Sequence, residues 1–203
     1  MYIYITRHGE TYWNVEGKTQ GVQDTPLSER GIHQAEILAP RLLREGITQI
    51  YSSDLDRAYQ TAAIIGQTIG RVPVKRKELR EISFGKWEGL TLNEIESKFP
   101  GQLDTWRTDH EFSPEDGESV LAVQSRISTF IDMLSSIGYE NDERILVVSH
   151  AITSKMLIIE LLGMPIKYLW SFRLDNTGIS IINISAKKKT IFCLNDTCHL
   201  VNI

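Results

Sequence analysis

The sequence predicts an α/β fold, a three-layer sandwich in which helices cover both faces of a mostly parallel central sheet. Short apolar runs alternate along the chain with amphipathic segments of helical period, which is typical of such folds. Residues 145–148 form an unbroken run of branched apolar side chains, as expected for a strand buried on both faces. The 203 residues contain no internal repeat or low-complexity linker, so we expect a single domain over residues 1–203.

The first half of the chain contains predicted strands and helices in alternation. Residues 2–6 favour a strand, and the polar residues 9–27 favour a loop. Ser28 is placed to cap a helix that ends near Glu45, before Gly46. The elements that follow are a strand over residues 49–52, a helix capped by Asp54, and a short strand over residues 72–74.

The second half continues the alternation after a loop over residues 80–90. Thr91 begins a capping box for a helix that ends before Pro100, and an acidic stretch follows as far as Gly117. The remaining predicted elements are a long amphipathic helix over residues 118–137, the buried strand that ends at Ser149-His150, a helix that ends at Gly163, and a hairpin of residues 178–184 and 190–194.

The composition excludes some classes of partner. A net charge of −4 gives no overall attraction to nucleic acid or to anionic membranes, so an anionic substrate would need a local positive pocket. We predict no signal peptide and no membrane span, because no apolar run approaches the roughly 20 residues that a span needs. Cys193 and Cys198 are expected to be free thiols in a reducing compartment, which indicates a cytoplasmic protein.

Two histidines follow predicted strands at the same edge of the sheet. Arg7-His8-Gly9 comes after the first strand, and Ser149-His150-Ala151 comes after the buried strand. Parallel sheets bind ligands beyond the carboxyl ends of their strands, so these segments should meet. An exposed imidazole at such a turn is a candidate nucleophile for phosphoryl transfer, and Gly9 would let a ligand approach closely.

Two further segments supply charge to the same edge. Residues 52–58 end the second strand and place Arg57 in the first turn of a helix, and residues 79–89 carry the carboxylate of Glu81. A phosphate monoester carries about two negative charges near neutral pH. Arg7 and Arg57 can donate planar, charge-assisted hydrogen bonds to its oxygens, and His150 would add a third cationic donor if it were protonated.

These four segments, in this order, resemble the histidine phosphatase superfamily, which contains cofactor-dependent phosphoglycerate mutases and many small phosphatases. The resemblance covers nearly the whole chain and includes residues 24–28 and 60–62. It implies that the nucleophile His8 forms a phosphohistidine and that Glu81, which competes with Glu78 and Glu88, protonates the leaving group. It requires no metal and no cofactor. It adds four residues to the predicted substrate-binding set, namely Asn14, Gln20, Gly21 and Ala151.

The resemblance favours hydrolysis over mutase activity. Glycolytic mutases carry an adjacent arginine pair that grips a carboxylate, and this sequence has no such pair. Residues 196–200, residues 169–172 and Asp175-Asn176 resemble the metal-independent phosphoserine phosphatases, so phosphoserine is a candidate substrate. Phe84 stands where that branch can carry a histidine. Broad-specificity phosphatase, ribazole-phosphate phosphatase and cofactor-dependent phosphoglycerate mutase therefore stay as alternatives.

Other phosphate chemistries fit the sequence less well. Gly17-Lys18-Thr19 resembles the end of a P-loop, but Tyr12 stands where the first glycine belongs. Asp54-Leu55-Asp56 resembles a magnesium-dependent phosphatase motif, yet it lies on the second strand and is followed by Arg57. We therefore expect a small phosphorylated metabolite as substrate, with no nucleic acid or membrane partner. Two points stay open, a possible homodimer and whether His199 returns to the pocket with the C-terminal tail.

Overall fold

One six-stranded sheet organises the chain in a computed structural model that describes residues 1–138 and 143–201. The strands are β1 (Tyr2–Arg7), β2 (Gln49–Ser53), β3 (Val74–Arg76), β4 (Arg144–Ser149), β5 (Ile179–Ile184) and β6 (Lys189–Asp196). Their order in the sheet is β3-β2-β4-β1-β5-β6. The first four strands in that order are mutually parallel. β5 pairs antiparallel with β1, and β6 pairs antiparallel with β5. The prediction of a mostly parallel sheet is therefore confirmed.

Helices cover both faces of this sheet, as predicted. They are α1 (Tyr12–Val15), α2 (Glu29–Arg44), α3 (Asp56–Ile69), α4 (Leu92–Lys98), α5 (Gln102–Thr108), α6 (Val120–Ile137) and α7 (Ala151–Leu162). No helix within the described ranges has both the length and the apolar character that crossing a bilayer would demand. The single domain stays a prediction, and its residues 139–142, 202 and 203 lie outside the described part.

The central strands β1 and β4 send alternate side chains into two separate cores. Ile5 and Val147 belong to the larger core, with α6 and α7, whereas Leu146 and Val148 belong to the smaller core, with α2 and α3. All four side chains are at most 1% exposed. Burying each such side chain stabilises the fold by about 1.5–3 kcal/mol relative to leaving it in water. This two-sided burial fixes the strands whose carboxyl ends carry His8 and His150.

Two predicted element boundaries are wrong, because contacts between distant parts of the chain decide where these elements begin. Asp54 does not cap α3, which begins at Asp56 after Leu55. The Asp54 carboxylate instead accepts two hydrogen bonds of 2.7 Å from the Arg80 guanidinium, which lowers its pKa. The third strand is shifted to Val74–Arg76, because it pairs with β2 and their first residue pair is Tyr51 opposite Val74. Val72, in the predicted strand, is 81% exposed.

Two short helices lie in segments that were predicted as loops. The helix α1 forms within residues 9–27, where Thr11 and Asn14 make a reciprocal capping box. The helix α5 forms inside the acidic stretch and buries Leu103 and Trp106. Both are short, with four and seven residues, so their sequences give little helical periodicity to detect.

Candidate active site

A cavity of about 180 Å³ opens at the carboxyl ends of the parallel strands. Every predicted site residue except His150 lines it, and His150 lies directly behind, with its ring centroid 5.2 Å from that of His8. The structure therefore brings together all the predicted site residues. The cavity is also lined by side chains that were not predicted, namely Lys18, Thr19 and Ile152, and by Phe84, which stands where the phosphoserine phosphatases can carry a histidine.

The backbone holds His8 at the end of β1 from two sides. Its N–H donates to the Ser149 carbonyl oxygen at 2.9 Å, and its carbonyl accepts from the Asn176 side-chain amide at 2.9 Å. The ring Nδ1 lies 2.7 Å from the Gly9 carbonyl oxygen. Because a carbonyl oxygen only accepts, Nδ1 carries the proton in the neutral ring and Nε2 carries the lone pair.

The surroundings of His8 keep its ring neutral. The side chain is 2% exposed, and burial lowers its pKa well below the ordinary value for histidine. The positive charges of Arg57 and Arg7 lower the pKa further. A neutral imidazole with a lone pair on Nε2 has the form that a nucleophile needs near neutral pH.

His150 is fully buried at the end of β4. Burial, followed by the charge of Arg57 and by His8, lowers its pKa well below the ordinary value. The cationic form considered from the sequence is therefore disfavoured in this structure, because the ring has lost water and faces positive charge. Neither ring nitrogen has a hydrogen-bond partner among residues 1–138 and 143–201.

The loop after α1 holds the Arg57 guanidinium. The Nη1 atom donates to the Gln23 carbonyl at 2.8 Å and to the Asp24 carboxylate at 3.2 Å, and Nη2 donates to the Gly21 carbonyl at 2.7 Å. The buried Nε has no partner in the described part of the chain. Burial lowers the pKa of Arg57, and the negative charge of Glu81 opposes this effect.

Arg7 keeps most of its donors unused. Its Nη1 donates to the Leu174 carbonyl at 3.2 Å, and its buried Nε has no partner within the described ranges. A guanidinium has five N–H donors, so Arg7 can still contact several oxygens of an anion. Burial lowers its pKa and Glu81 again opposes this, which places the two arginines and Glu81 in one electrostatic cluster.

Glu81 is fixed against the N-terminus of α7. Its Oε1 accepts from the backbone N–H groups of Ile82 and Thr153, at 3.0 and 3.2 Å. Its Oε2 accepts from the Ile152 N–H at 3.2 Å. The first turn of a helix has N–H groups without helical partners, which suits a carboxylate. The side chain is 7% exposed and lines the cavity.

The two competing carboxylates lie elsewhere. Glu88 Oε1 accepts from the N–H groups of Val22 and Phe84, both at 3.0 Å, and so joins two loops. The Glu78 carboxylate lies 3.8 Å from the Arg76 guanidinium and does not line the cavity. Of the three candidates for the acid, the structure places only Glu81 at the cavity.

Asn14 and Gln20 present their amide nitrogens as donors. The Asn14 Oδ1 accepts from the Thr11 N–H at 3.1 Å and from the Asn176 amide at 3.2 Å. The Gln20 Oε1 accepts from the hydroxyls of Thr11 and Thr25. With both oxygens occupied, the NH2 groups are left to donate to a bound anion. Asn176 was not predicted as part of this arrangement, since only its contacts with His8 and Asn14 reveal it.

Gly9 has a different role from the one predicted. A Cβ at this position would lie 2.3 Å from the Gly31 carbonyl oxygen, so glycine lets α2 pack against the loop after β1. The glycine therefore makes room for a helix backbone, and its N–H donates to the Thr61 hydroxyl at 3.0 Å. Gly21 does shape the cavity, because its positive φ of 57° and the adjacent Glu88 side chain exclude a Cβ.

The described residues of the C-terminal tail, 196–201, dock on α2 and do not line the cavity that contains His8. The Asp196 carboxylate pairs with the Arg41 guanidinium, and His199 Nε2 lies 3.3 Å from the Thr177 hydroxyl. Tail residues instead help to line a second cleft of about 330 Å³, in which Glu10 pairs with Arg30 and Asp175 pairs with Arg173. Among the described residues, the tail therefore does not return to the cavity that contains His8.

Known proteins and a family model match this chain over nearly its whole length. A model of the histidine phosphatase superfamily (branch 1) matches residues 3–197. Phosphoserine phosphatase 1 of Hydrogenobacter thermophilus is 35% identical over 199 residues, covering 98% of this chain and 93% of that protein. The adenosylcobalamin/alpha-ribazole phosphatase of Escherichia coli is 34% identical over 197 residues, or 96% of each chain. The solved mycobacterial glucosyl-3-phosphoglycerate phosphatase complexed with VO3 has a TM-score of 0.89 and 30% identity, covering 97% of this chain and 99% of that one.

Proposed function

The chain belongs to the histidine phosphatase superfamily (branch 1), and we propose that it hydrolyses small phosphomonoesters through a phosphohistidine on His8 without a metal ion. One observation carries this proposal. A neutral imidazole, whose Nδ1 proton is engaged by the Gly9 carbonyl, lines a cavity together with two arginines that have unused N–H donors. That arrangement suits a nucleophile facing a phosphoryl group.

In the first step, the lone pair on His8 Nε2 attacks phosphorus. The bond from phosphorus to the ester oxygen breaks, and the leaving alkoxide takes a proton from the Glu81 carboxylic acid. The phosphoryl group is then bonded to Nε2, and the His8 ring is cationic. The Gly9 carbonyl, 2.7 Å from Nδ1, accepts the hydrogen bond from this ring throughout the step and stabilises its positive charge.

Charge stabilisation comes from Arg7 and Arg57. Phosphoryl transfer spreads negative charge over three equatorial oxygens, and it depends mainly on positioned positive groups. The Nε donors of both arginines are buried without partners in the described residues, so they need not break existing hydrogen bonds to bind an anion. A bound dianion would also raise the pKa of His150 and favour its cationic form as a further donor.

In the second step, Glu81, now a carboxylate, takes a proton from water as the water oxygen attacks phosphorus. The bond between phosphorus and Nε2 breaks, and inorganic phosphate leaves with His8 neutral again. Hydrogen bonds from Ile152 and Thr153 keep the same carboxyl group in place for both steps. One positioned group therefore serves as acid and then as base.

Phosphoserine is the first substrate to test. The relative from Hydrogenobacter thermophilus is named phosphoserine phosphatase 1, and residues 196–200 of this chain resemble that group. Phe84 presents an apolar wall at the cavity, which also suits a larger leaving group. The Escherichia coli relative, named adenosylcobalamin/alpha-ribazole phosphatase, makes ribazole phosphate the second substrate class to test.

Mutase activity is the alternative reaction for the same phosphohistidine. A mutase must transfer the phosphoryl group to a second substrate hydroxyl and exclude water. The segment from Phe99 to Glu115 carries a single arginine, Arg107, and the sequence has no adjacent arginine pair to hold a carboxylate there. We therefore expect hydrolysis of 3-phosphoglycerate to exceed its conversion to 2-phosphoglycerate. Mutase turnover far above hydrolysis would replace the proposed reaction.

Replacing the nucleophile tests the proposal directly. We expect His8→Ala to lower kcat for p-nitrophenyl phosphate and phosphoserine by at least about 10³-fold, with an unchanged circular dichroism spectrum. His33→Ala is the matched control, because His33 is 56% exposed on α2 and does not line the cavity. It should keep wild-type turnover.

Three results would contradict this proposal. The first is retained turnover in His8→Ala. The second is acid-labile label, trapped from a radioactive phosphate ester, on any residue other than His8. The third is loss of wild-type activity in a chelator, restored by added metal, which would favour a metal-dependent phosphatase.

A further inference from the structure

Lys155 lies on the face of α7 that reaches the cavity. The helix starts at the cavity, which Ala151 and Ile152 line. Lys155 follows them by four and three residues, so all three lie on one side of the helix. Lys155 does not line the cavity itself, but the charge of Glu81 raises its pKa and that of Arg7 lowers it.

The Lys155 ammonium has no anionic partner among residues 1–138 and 143–201. It faces two aromatic rings instead, with Nζ 5.7 Å from the Trp170 ring centroid and 6.0 Å from that of Phe172. The side chain is half-buried, and burial lowers its pKa. Contact with aromatic faces compensates only in part for the hydration that a cation loses on burial, so a bound anion would stabilise the Lys155 ammonium further.

A row of aromatic rings connects the cavity to Lys155. Phe84 lines the cavity, and its ring lies 5.5 Å from that of Trp106. Trp106 lies 4.7 Å from Trp170, over which the Lys155 ammonium stands. Glu81 must contact the leaving oxygen of the substrate, and Phe84 belongs to the same loop. The leaving alcohol of a substrate bound at Glu81 would therefore lie beside Phe84, on the side of the cavity from which the aromatic row runs to Lys155.

We propose that Lys155 is a specificity-determining residue that binds an anionic group on the leaving alcohol, either a carboxylate or a second phosphate. The inference rests on the proposed function, because it assigns Glu81 to the leaving-group side. Lys155 makes and breaks no covalent bond in the reaction. Its ammonium donates charge-assisted hydrogen bonds to the distal anion and holds the alcohol against the aromatic row.

Lys18 lines the cavity itself, and its charge is already compensated. Its Nζ lies 2.6 Å from the Glu16 carboxylate, whereas no such partner faces Lys155 in the described residues. An anion that reached Lys18 would have to compete with Glu16. The unpaired cation on α7 is therefore the better candidate for a second anion subsite.

Matched substrate pairs test this inference. The carboxylate pair is 3-phosphoglycerate and glycerol 3-phosphate, which differ by a carboxylate in place of a hydroxymethyl group. The phosphate pair is glucose 1,6-bisphosphate and glucose 6-phosphate. We expect Lys155→Met to lower kcat/KM for the anionic member of at least one pair by about 10- to 100-fold, mainly through KM. The neutral member should change by less than about twofold, and Lys155→Arg should restore most of the preference.

The pair that responds identifies the anion as a carboxylate or a phosphate. Lys167→Met is the control for net charge, because Lys167 is exposed with its Nζ 5.3 Å from the Tyr168 ring centroid. It should leave both ratios unchanged. Equal losses for both members of each pair, or the same loss in Lys167→Met, would overturn the role of Lys155. Wild-type protein without turnover of any phosphomonoester would instead overturn the proposed function.

Discussion

His8, His33 and His150 have the same side chain in different surroundings. The two at strand ends are at most 2% exposed and have lowered pKa values, whereas the His33 side chain is 56% exposed beside Glu36. Desolvation and two nearby guanidinium groups account for the difference. Residue type alone therefore does not give the protonation state, and the chemistry of His8 depends on its burial.

Glu81 is expected to matter most for poor leaving groups. An alkoxide must be protonated as it leaves, whereas p-nitrophenolate is stable without a proton. We expect Glu81→Gln to lower kcat/KM, which reports the first step alone, by about 10²- to 10⁴-fold for phosphoserine and by much less for p-nitrophenyl phosphate. Steady-state kinetics on both substrates would measure this difference. Glu78→Gln, outside the cavity, should behave as wild type, and equal losses on the two substrates would argue against an acid role.

The sequence predicts side-chain chemistry well when the residues lie in adjoining motifs. Arg7 with His8, and Arg57 in the first turn of a helix, could be predicted from the chain segments that carry them. The roles of Gly9 and Asn176 could not. Gly9 packs against Gly31, and Asn176 donates hydrogen bonds to His8 and Asn14. Such contacts exist only after the chain has folded.

The backbone of helix α2 packs directly against the backbone of the loop that follows β1. A Cβ on Gly31 would lie 1.9 Å from the Glu10 carbonyl oxygen, and a Cβ on Gly9 would meet the Gly31 carbonyl. Ser28 caps the same helix, since its hydroxyl accepts from the Gly31 N–H at 3.0 Å. The N-terminus of α2 is thus fitted closely to the segment that carries His8.

This close fit reverses the usual effect of a helical glycine. Alanine normally stabilises a helix interior by about 1 kcal/mol relative to glycine. We expect Gly31→Ala to lower the free energy of unfolding by about 1–3 kcal/mol, because the new methyl group overlaps the Glu10 backbone. Urea unfolding would measure it, with exposed His33→Ala as the reference on the same helix. A gain in stability would show that the loop can move away at little cost.

Strongly apolar elements could be predicted from the sequence, and very short ones could not. The run over residues 145–148 has no polar side chain, and it is the central buried strand β4. The helix α1 depends on its capping box, and α5 on the burial of Leu103 and Trp106, neither of which periodicity records. The shift of β3 has the same origin, because its register is set by the neighbouring β2.

At the scale of the whole molecule, the two buried histidines make stability depend on pH. Their pKa values are lowered in the folded state, whereas an unfolded chain has histidines near 6.5. Above pH 6.5 both states are neutral, and the stability is fully present. As the pH falls below 6.5, the unfolded state binds protons that the folded state does not, so stability is lost.

We expect each buried histidine to lower the free energy of unfolding by about 1.4 kcal/mol for each pH unit below 6.5. The wild-type protein should therefore lose about 2 kcal/mol more than His8→Asn between pH 7.5 and pH 5. Urea unfolding at several pH values would measure both. The exposed His33→Asn should follow the wild type. Parallel curves for the wild type and His8→Asn would mean that His8 titrates normally in the folded protein.

The place of β1 in the sheet has a consequence for synthesis on the ribosome. Its neighbours on the two sides are β4 and β5, so Tyr2 lies opposite both Arg144 and Asn183. A nascent chain that has exposed β1 must wait for β4 before that strand has one neighbour, and for β5 before it has both. His8 is therefore made before both neighbouring strands and is enclosed only after they have paired with β1.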